Sequence, residues 1–197
     1  MTPRKYDMSQ RAAAREETRR RIVEATAKLH GERGVFGTSW RDIAEEADVS
    51  VATVYSHFPS LDELLPACGQ LVMERARPPS PDAAVEVVGD TDDLRERLAR
   101  VAHELFGFYE RGGPHLEVDA RERELPGLRE WEESQRDTVL AFVREALGRR
   151  AGARKARLLS AFFDLPTYKA LRTRGVSPNQ AAETVAAAAA CLVEHGE

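Results

Sequence analysis

The stretch TSWRDIAEEADVSVATVYSHFPSLDELL, residues 38–65, contains the pattern of two short helices joined by a tight turn. In its first half the apolar residues recur at i, i+3, i+4 and i+7, which places them on one face of a two-turn helix. These residues are Trp40, Ile43, Ala44 and Ala47. Ser39 precedes them and Asp42 follows three residues later, a short version of the capping box that begins a helix.

The second half begins with a turn at Asp48, Val49 and Ser50. We expect Asp48 to adopt a left-handed conformation, which Asp tolerates better than most residues. Ser50 then caps a second short helix, whose inward residues are Val54 and Phe58. Two short helices separated by a three-residue turn predict a helix-turn-helix.

The outward face of the second helix has an unusual composition. A solvated helix normally carries Glu and Lys there, whereas this one presents small, hydroxyl-bearing and aromatic side chains. They are Val51, Ala52, Thr53, Tyr55, Ser56 and His57. Such a face suits a helix that lies in the major groove of DNA.

The run R-D-I-A-E-E-A-x-V-S-x-A-T-x-Y-x-H-F-P-S, residues 41–60, resembles the DNA-binding domain of tetracycline-repressor (TetR) family regulators. The resemblance extends back through residues 18–26 and 34–39 and covers roughly residues 16–75. The C-terminal half is similar to the family in architecture only. The family's last two helices usually form a dimer interface, so the resemblance implies a homodimer.

The resemblance also implies roles for particular residues. Val51, Ala52 and Thr53 occupy the base-facing start of the recognition helix, where Thr53 can contact a base and the other two offer apolar contacts. The resemblance implies phosphate contacts for the remaining candidates, which are Ser39, Arg41, Tyr55 and His57. For Arg41 it also implies a possible contact to a base.

Three positions depart from the family pattern. Asp48 stands where Gly is usual, Leu61 where a phosphate-binding Lys is frequent, and Ser56 where many members carry a larger polar residue. We therefore expect affinity to depend more on Arg41 and on the N-terminal arm.

Charge is distributed unevenly although the net charge is only −4. Residues 1–77 carry 12 basic and 12 acidic side chains, whereas the remainder carries 17 and 21. Among the first 21 residues three are acidic and seven are basic, namely Arg4, Lys5, Arg11, Arg15, Arg19, Arg20 and Arg21. Positive potential concentrated at one end suits phosphate contact there, although a solvated basic tail is the alternative.

The rest of the chain predicts an all-α protein, because helix formers dominate and no sustained alternation of apolar and polar residues occurs. We expect about nine helices, at 16–33, 40–47, 51–57, 60–76, 91–111, 116–123, 126–148, 151–173 and 178–194. Three prolines within residues 78–81 break the helical pattern. The predicted organisation is a flexible basic arm (1–15), a helix-turn-helix DNA-binding domain (16–77) and a ligand-sensing and dimerisation domain (78–197).

Two expectations concern the C-terminal half. A small-molecule pocket needs a few polar groups in an apolar wall, and our candidates are Phe106, Trp131, Gln135, Thr138 and Phe163. The final helix is small and apolar, with five consecutive alanines at 186–190. We predict that it forms a dimer interface with residues 158, 159, 162 and 165, the alternative being that it packs inside its own domain.

The predicted function is that of a sequence-specific DNA-binding transcription regulator, a repressor that a small-molecule effector releases from a near-palindromic operator. A regulator without a small-molecule ligand and an activator stay open as alternatives. We find no pattern typical of an enzyme and expect no catalytic residue, metal or cofactor.

Cys68 and Cys191 lie far apart and are expected to be reduced thiols. With neither a signal peptide nor a membrane span predicted, we expect a cytoplasmic location.

Overall fold

The computed structural model describes residues 8–150 and 152–195, and within these ranges the protein is helical with no strand. The prediction of an all-α fold is confirmed. Four α-helices form the N-terminal part: α1 (Met8–Arg33), α2 (Trp40–Glu46), α3 (Val51–His57) and α4 (Leu61–Ala76). Six follow: α5 (Ala84–Val88), α6 (Leu94–Gly112), α7 (Pro126–Leu147), α8 (Ala153–Ser160), α9 (Leu165–Arg172) and α10 (Pro178–His195).

The hydrophobic core consists of separate clusters. One joins the apolar faces of α1, α2, α3 and the start of α4, centred on Ile22, Val54 and Leu64, each of which is fully buried. The larger cluster begins at Ala76 and extends through α6, α7 and α10. Within the described residues, no helix has the length and apolar character needed to cross a bilayer.

Helix α1 is longer than expected. It begins at Met8, so residues 8–15 of the predicted flexible arm are helical, while residues 1–7 lie outside the described residues. The segment contains three consecutive alanines, Ala12, Ala13 and Ala14. Alanine is the strongest helix former, which accounts for the extension although these side chains are exposed.

The region predicted as one helix over 116–123 is not α-helical. It contains two short 3₁₀ turns, Gly113–Leu116 and Glu122–Glu124, with an irregular stretch between them. Gly113 has a φ of +53°, which ends α6, and Pro114 then begins the first 3₁₀ turn. We call residues 113–125 the junction segment, because it lies against both α1 and α7.

The helix predicted over 151–173 is divided in two. Helix α8 ends at Ser160, and α9 begins after Asp164, whose carboxylate accepts a hydrogen bond from the Thr167 backbone N–H. Pro166 lies in the first turn of α9, where its missing N–H costs nothing. The short helix α5 was not predicted.

Helix α10 packs inside its own domain, mainly against α6. Five of the six residues of the face that was expected to form the dimer interface are buried within the chain: Ala181, Ala182, Val185, Ala186 and Ala189. The prediction is wrong for these residues, because small side chains allow close approach to α6 as readily as to a second copy. Leu158 and Leu192, by contrast, are 64% and 45% exposed.

Candidate nucleic-acid interface and junction pocket

The helix-turn-helix is built as the sequence predicts. The Ser39 hydroxyl accepts from the Asp42 backbone N–H at 3.1 Å, and the Asp42 carboxylate accepts from the Ser39 N–H at 2.9 Å. Hydrogen bonds from Ser39 hold the pKa of Asp42 below its usual value. Ser50 caps α3 by accepting from the Thr53 N–H. The capping box therefore fixes where α2 begins, and Ser50 does the same for α3.

The turn between α2 and α3 contains Asp48 with a φ of +51°, as expected. The Arg21 guanidinium reaches this turn from α1 and donates to the carbonyl oxygens of Ala47 and Asp48. Sequence reasoning counted Arg21 among the groups available for phosphate. Its donors instead stabilise the turn that sets the angle between the two helices.

Most of the candidate DNA-binding residues on α2 and α3 are exposed. Val51 is 38% exposed and Tyr55 45%, and Ala52 and Arg41 are also exposed. Thr53 is half-buried, and its hydroxyl lies 2.8 Å from that of Ser50. Ser39 is exposed although its hydroxyl is engaged in the cap. All seven residues that were assigned from the sequence thus lie on α2 and α3 or directly before α2, and each is exposed or half-buried.

His57 lies at the end of α3 and is half-buried. Burial, followed by the positive charges of Arg15 and Arg19, lowers its pKa. A neutral imidazole can still donate one hydrogen bond to a phosphate oxygen. Arg19 lies over the ring of Phe58, 4.9 Å from the centroid, and so reaches the C-terminal end of the same helix.

One feature of this surface was missed by sequence reasoning. The rings of Trp40 and Tyr55 are stacked, with centroids 4.8 Å apart and an interplanar angle of 22°. From the sequence, Trp40 was placed on the inner face of α2, at a helix start expected to lie near phosphate, and its contact with Tyr55 was not predicted. The two residues lie fifteen positions apart on different helices, so only the helix crossing reveals the contact.

A cavity of about 770 Å³ lies at the junction of the N- and C-terminal helices. The N-terminal part contributes residues 30–34, which are the end of α1 and the residue after it. The remaining wall comes from α6, the junction segment, α7 and the start of α9. Its apolar and aromatic side chains include Phe108, Tyr109, Leu116, Trp131, Val139 and Leu165.

Two of the five predicted ligand-binding residues line this cavity, namely Trp131 and Gln135. Phe106 and Phe163 are instead buried in the core, and the prediction is not supported for them. Thr138 is also buried, and its hydroxyl donates to the Ser134 carbonyl of its own helix. Around this position on α7 the cavity is lined by Gln135, Arg136 and Val139, and Thr138 is not among the lining residues.

Burial affects several of the polar groups that line the cavity. The Trp131 Nε1–H is buried and has no hydrogen-bond partner within the described part of the chain. Burial raises the pKa of the Asp164 carboxyl, and burial also lowers the pKa of His30 to about 4. At neutral pH the His30 imidazole is therefore uncharged where it faces the cavity.

Comparison with known proteins agrees with this architecture. Residues 22–68 match the family model described as bacterial regulatory proteins, tetR family. The HTH-type transcriptional regulator PksA of Bacillus subtilis (strain 168) is 40% identical over 70 residues, 36% of this chain and 34% of that protein. The HTH-type transcriptional repressor KstR of Rhodococcus jostii (strain RHA1) is 44% identical over 52 residues, 26% of this chain and 24% of that protein.

These matches span about a third or less of the length of either relative. A solved structure extends the likeness to the C-terminal half: the multidrug binding protein EbrR complexed with imidazole has a TM-score of 0.57 and 25% identity. The alignment covers 87% of this chain and 93% of that one. The fold and its N-terminal surface define a helix-turn-helix protein. Its N-terminal part, residues 22–68, is similar to the DNA-binding domain of the tetR family of bacterial regulatory proteins.

Proposed function

We propose that the protein is a sequence-specific DNA-binding transcription regulator, a repressor that a small molecule releases from its operator. The observation that carries the proposal is the face of α3 on which Val51, Ala52 and Tyr55 are exposed. This face lies within the residues that match the family model. Residues 16–77 act as the DNA-binding domain and residues 78–197 as the sensing and dimerisation domain.

The active form in this proposal is a homodimer, in which the exposed sides of α8 and α10 meet around Leu158 and Leu192. These two side chains remain exposed after the alanine face of α10 is buried in its own domain. A two-fold dimer presents two recognition helices to successive major grooves ~34–36 Å apart, which requires a near-palindromic operator. Such a regulator acts in the cytoplasm.

The effector binds in the junction cavity. Its volume of about 770 Å³ falls within the range of ligand pockets, roughly 300–1,000 Å³. The Trp131 indole N–H offers a donor for a ligand oxygen or nitrogen. EbrR, which shares the fold, is a multidrug binding protein, and that likeness supports a small organic effector. Coupling of about 1–3 kcal/mol would change operator affinity roughly 5- to 150-fold.

The test is a fluorescence-anisotropy titration of the full chain against the DNA that flanks its own gene, at two salt concentrations, beside a scrambled duplex. We expect tighter binding to the flanking DNA and a steep loss of affinity with salt. Binding that is equal for the two duplexes would contradict a local operator. Absence of binding at low salt would contradict the proposal itself.

A pair of variants separates specific phosphate contact from general charge. Arg41→Gln removes an exposed cation beside the recognition helix, whereas Arg144→Gln removes an exposed cation of α7. We expect the first to weaken DNA binding and to reduce the salt slope by about 1, and the second to change neither. Equal effects of the two changes would contradict the assigned surface.

A further inference from the structure

The junction segment is hydrogen-bonded to the loop after α1 through the buried carboxylate of Glu122. Glu122 is only 4% exposed. Its Oε1 accepts from the Val35 backbone N–H at 2.6 Å, and its Oε2 accepts from the Asp119 N–H at 3.0 Å. Val35 lies 87 positions earlier in the chain, so this is a contact between the N- and C-terminal halves.

A buried carboxylate is stable only when its lone pairs are satisfied, and here two backbone amides do so. Separating the loop at Val35 from the junction segment would therefore leave the Val35 amide without this partner and the Glu122 carboxylate without one of its two acceptor bonds. Hydrogen bonds to charged groups are about twice as strong as those between neutral groups. The contact of Glu122 with Val35 is therefore stronger than an ordinary hydrogen bond between neutral groups.

The surrounding residues fit this contact closely. Gly34 has a φ of +74°, and a Cβ added there would lie 3.0 Å from the Glu122 Oε1. The His115 ring lies against Gly31, where a Cβ would come within 2.6 Å of its Cε1, and its Nε2 is 2.8 Å from the Ala27 carbonyl oxygen. Both glycines thus stand where the junction segment approaches the α1 backbone.

The loop that Glu122 contacts, residues 34–39, leads directly into the helix-turn-helix. The Thr38 hydroxyl donates to the Gly34 carbonyl at 2.9 Å, and the next residue is Ser39, which caps α2. Glu122 is therefore separated from the start of α2 by a short, internally bonded loop. This loop gives the junction segment a route to α2 in addition to the one through α4, which packs against both α1 and α6.

The same segment is a wall of the cavity. Its lining residues here are Leu116, Glu117, Val118, Asp119 and Glu122, and they face residues 30–34 at and just after the end of α1. We infer that Glu122 is a positioning residue for DNA binding: it holds the loop after α1, and hence the helix-turn-helix, in a fixed position relative to the C-terminal domain. The part of this inference that concerns DNA rests on the proposed function.

The first experiment measures the contact itself and needs no DNA. Amide hydrogen exchange of residues 34–38 is followed by mass spectrometry or NMR in the full chain and in Glu122→Ala, Glu122→Gln and Glu124→Gln. Glu124 is an exposed carboxylate two residues further on and serves as the matched control. We expect exchange at Val35 to be about tenfold faster or more in Glu122→Ala.

Glu122→Gln keeps a carbonyl oxygen for Val35 but loses the charge and the second acceptor, so its exchange rate should lie between those of the wild type and Glu122→Ala. Glu124→Gln should leave the rate unchanged. Exchange at Val35 that stays within about twofold of wild type in Glu122→Ala would overturn the inference, because the contact would then not hold the loop.

The second experiment titrates the same variants against the DNA used for the wild type. Glu122→Ala should lose roughly tenfold or more in affinity while its thermal unfolding remains a single cooperative transition, and Glu124→Gln should bind as the wild type does. Faster Val35 exchange with unchanged DNA affinity would overturn the positioning role. A wild type that binds no DNA would instead contradict the proposed function, and the exchange result would still decide the contact.

Discussion

The ring of Tyr55 is stacked on the ring of Trp40 with 4.8 Å between their centroids, which ties the exposed face of α3 to α2. Tyr55 was assigned a phosphate contact through its hydroxyl, and the stack gives the same side chain a second task. The flat face of its ring contacts Trp40 and the hydroxyl lies at its far end. The ring geometry therefore allows the two tasks to be separated by mutation.

We expect Tyr55→Phe to preserve the stack and the thermal stability of the protein. Loss of a hydrogen bond to a charged phosphate should weaken DNA binding by up to about tenfold. Tyr55→Ala should in addition destabilise the fold by about 1 kcal/mol, the usual size of an aromatic pair. Anisotropy titrations and urea unfolding measure the two effects. Unchanged DNA affinity in Tyr55→Phe would exclude a phosphate contact by the hydroxyl.

The Arg21 side chain supports the turn between α2 and α3. Arg21→Gln removes the donors that reach the Ala47 and Asp48 carbonyls, so we expect a loss of about 1 kcal/mol in the free energy of unfolding. The neighbouring Arg20 pairs with Glu17 and Glu24 on the exposed side of α1. Arg20→Gln is the matched control and should cost clearly less. Equal losses would show that Arg21 does not support the turn.

His30 makes stability depend on pH. Its pKa falls to about 4 in the folded chain from an ordinary 6.5, chiefly through burial. The unfolded chain therefore binds the proton more readily, and stability decreases as pH falls from about 6.5 towards 4. The groups that act on His30 electrostatically are Glu122, which opposes the shift, and His115, which adds to it.

Urea unfolding at pH 7 and pH 5 measures this dependence. We expect the wild type to lose on the order of 1–2 kcal/mol more than His30→Gln over this interval, because the variant has no proton to take up there. The comparison is between the two pH slopes, so a general destabilisation by the substitution does not affect it. Parallel slopes would contradict a buried neutral imidazole at position 30.

The dimer proposed above depends on Leu158. Leu158→Glu introduces a charge at an exposed apolar position of α8, and we expect it to shift the protein from dimer to monomer in sedimentation velocity. Val85, 67% exposed on α5, provides the control: Val85→Glu should leave the dimer intact. A dimer that survives Leu158→Glu would place the interface elsewhere.

Sequence patterns identified the helix-turn-helix because its signals are local. Capping at Ser39 and Ser50, the left-handed turn at Asp48 and the apolar spacing around Ile43 all act within a few residues. The same reasoning failed for the alanines of α10. A small apolar face has no local feature that distinguishes α6 from a second copy of the chain as its partner.

The sequence by itself determined the helical class, the position of the helix-turn-helix and the residues of its exposed face, because helix periodicity and capping are set by neighbouring residues. Only the tertiary structure decided that Arg21 supports the turn, that Trp40 stacks on Tyr55 and that Glu122 holds Val35. These contacts join residues between 15 and 87 positions apart. Their formation depends on how packed helices cross, which no short stretch of sequence specifies.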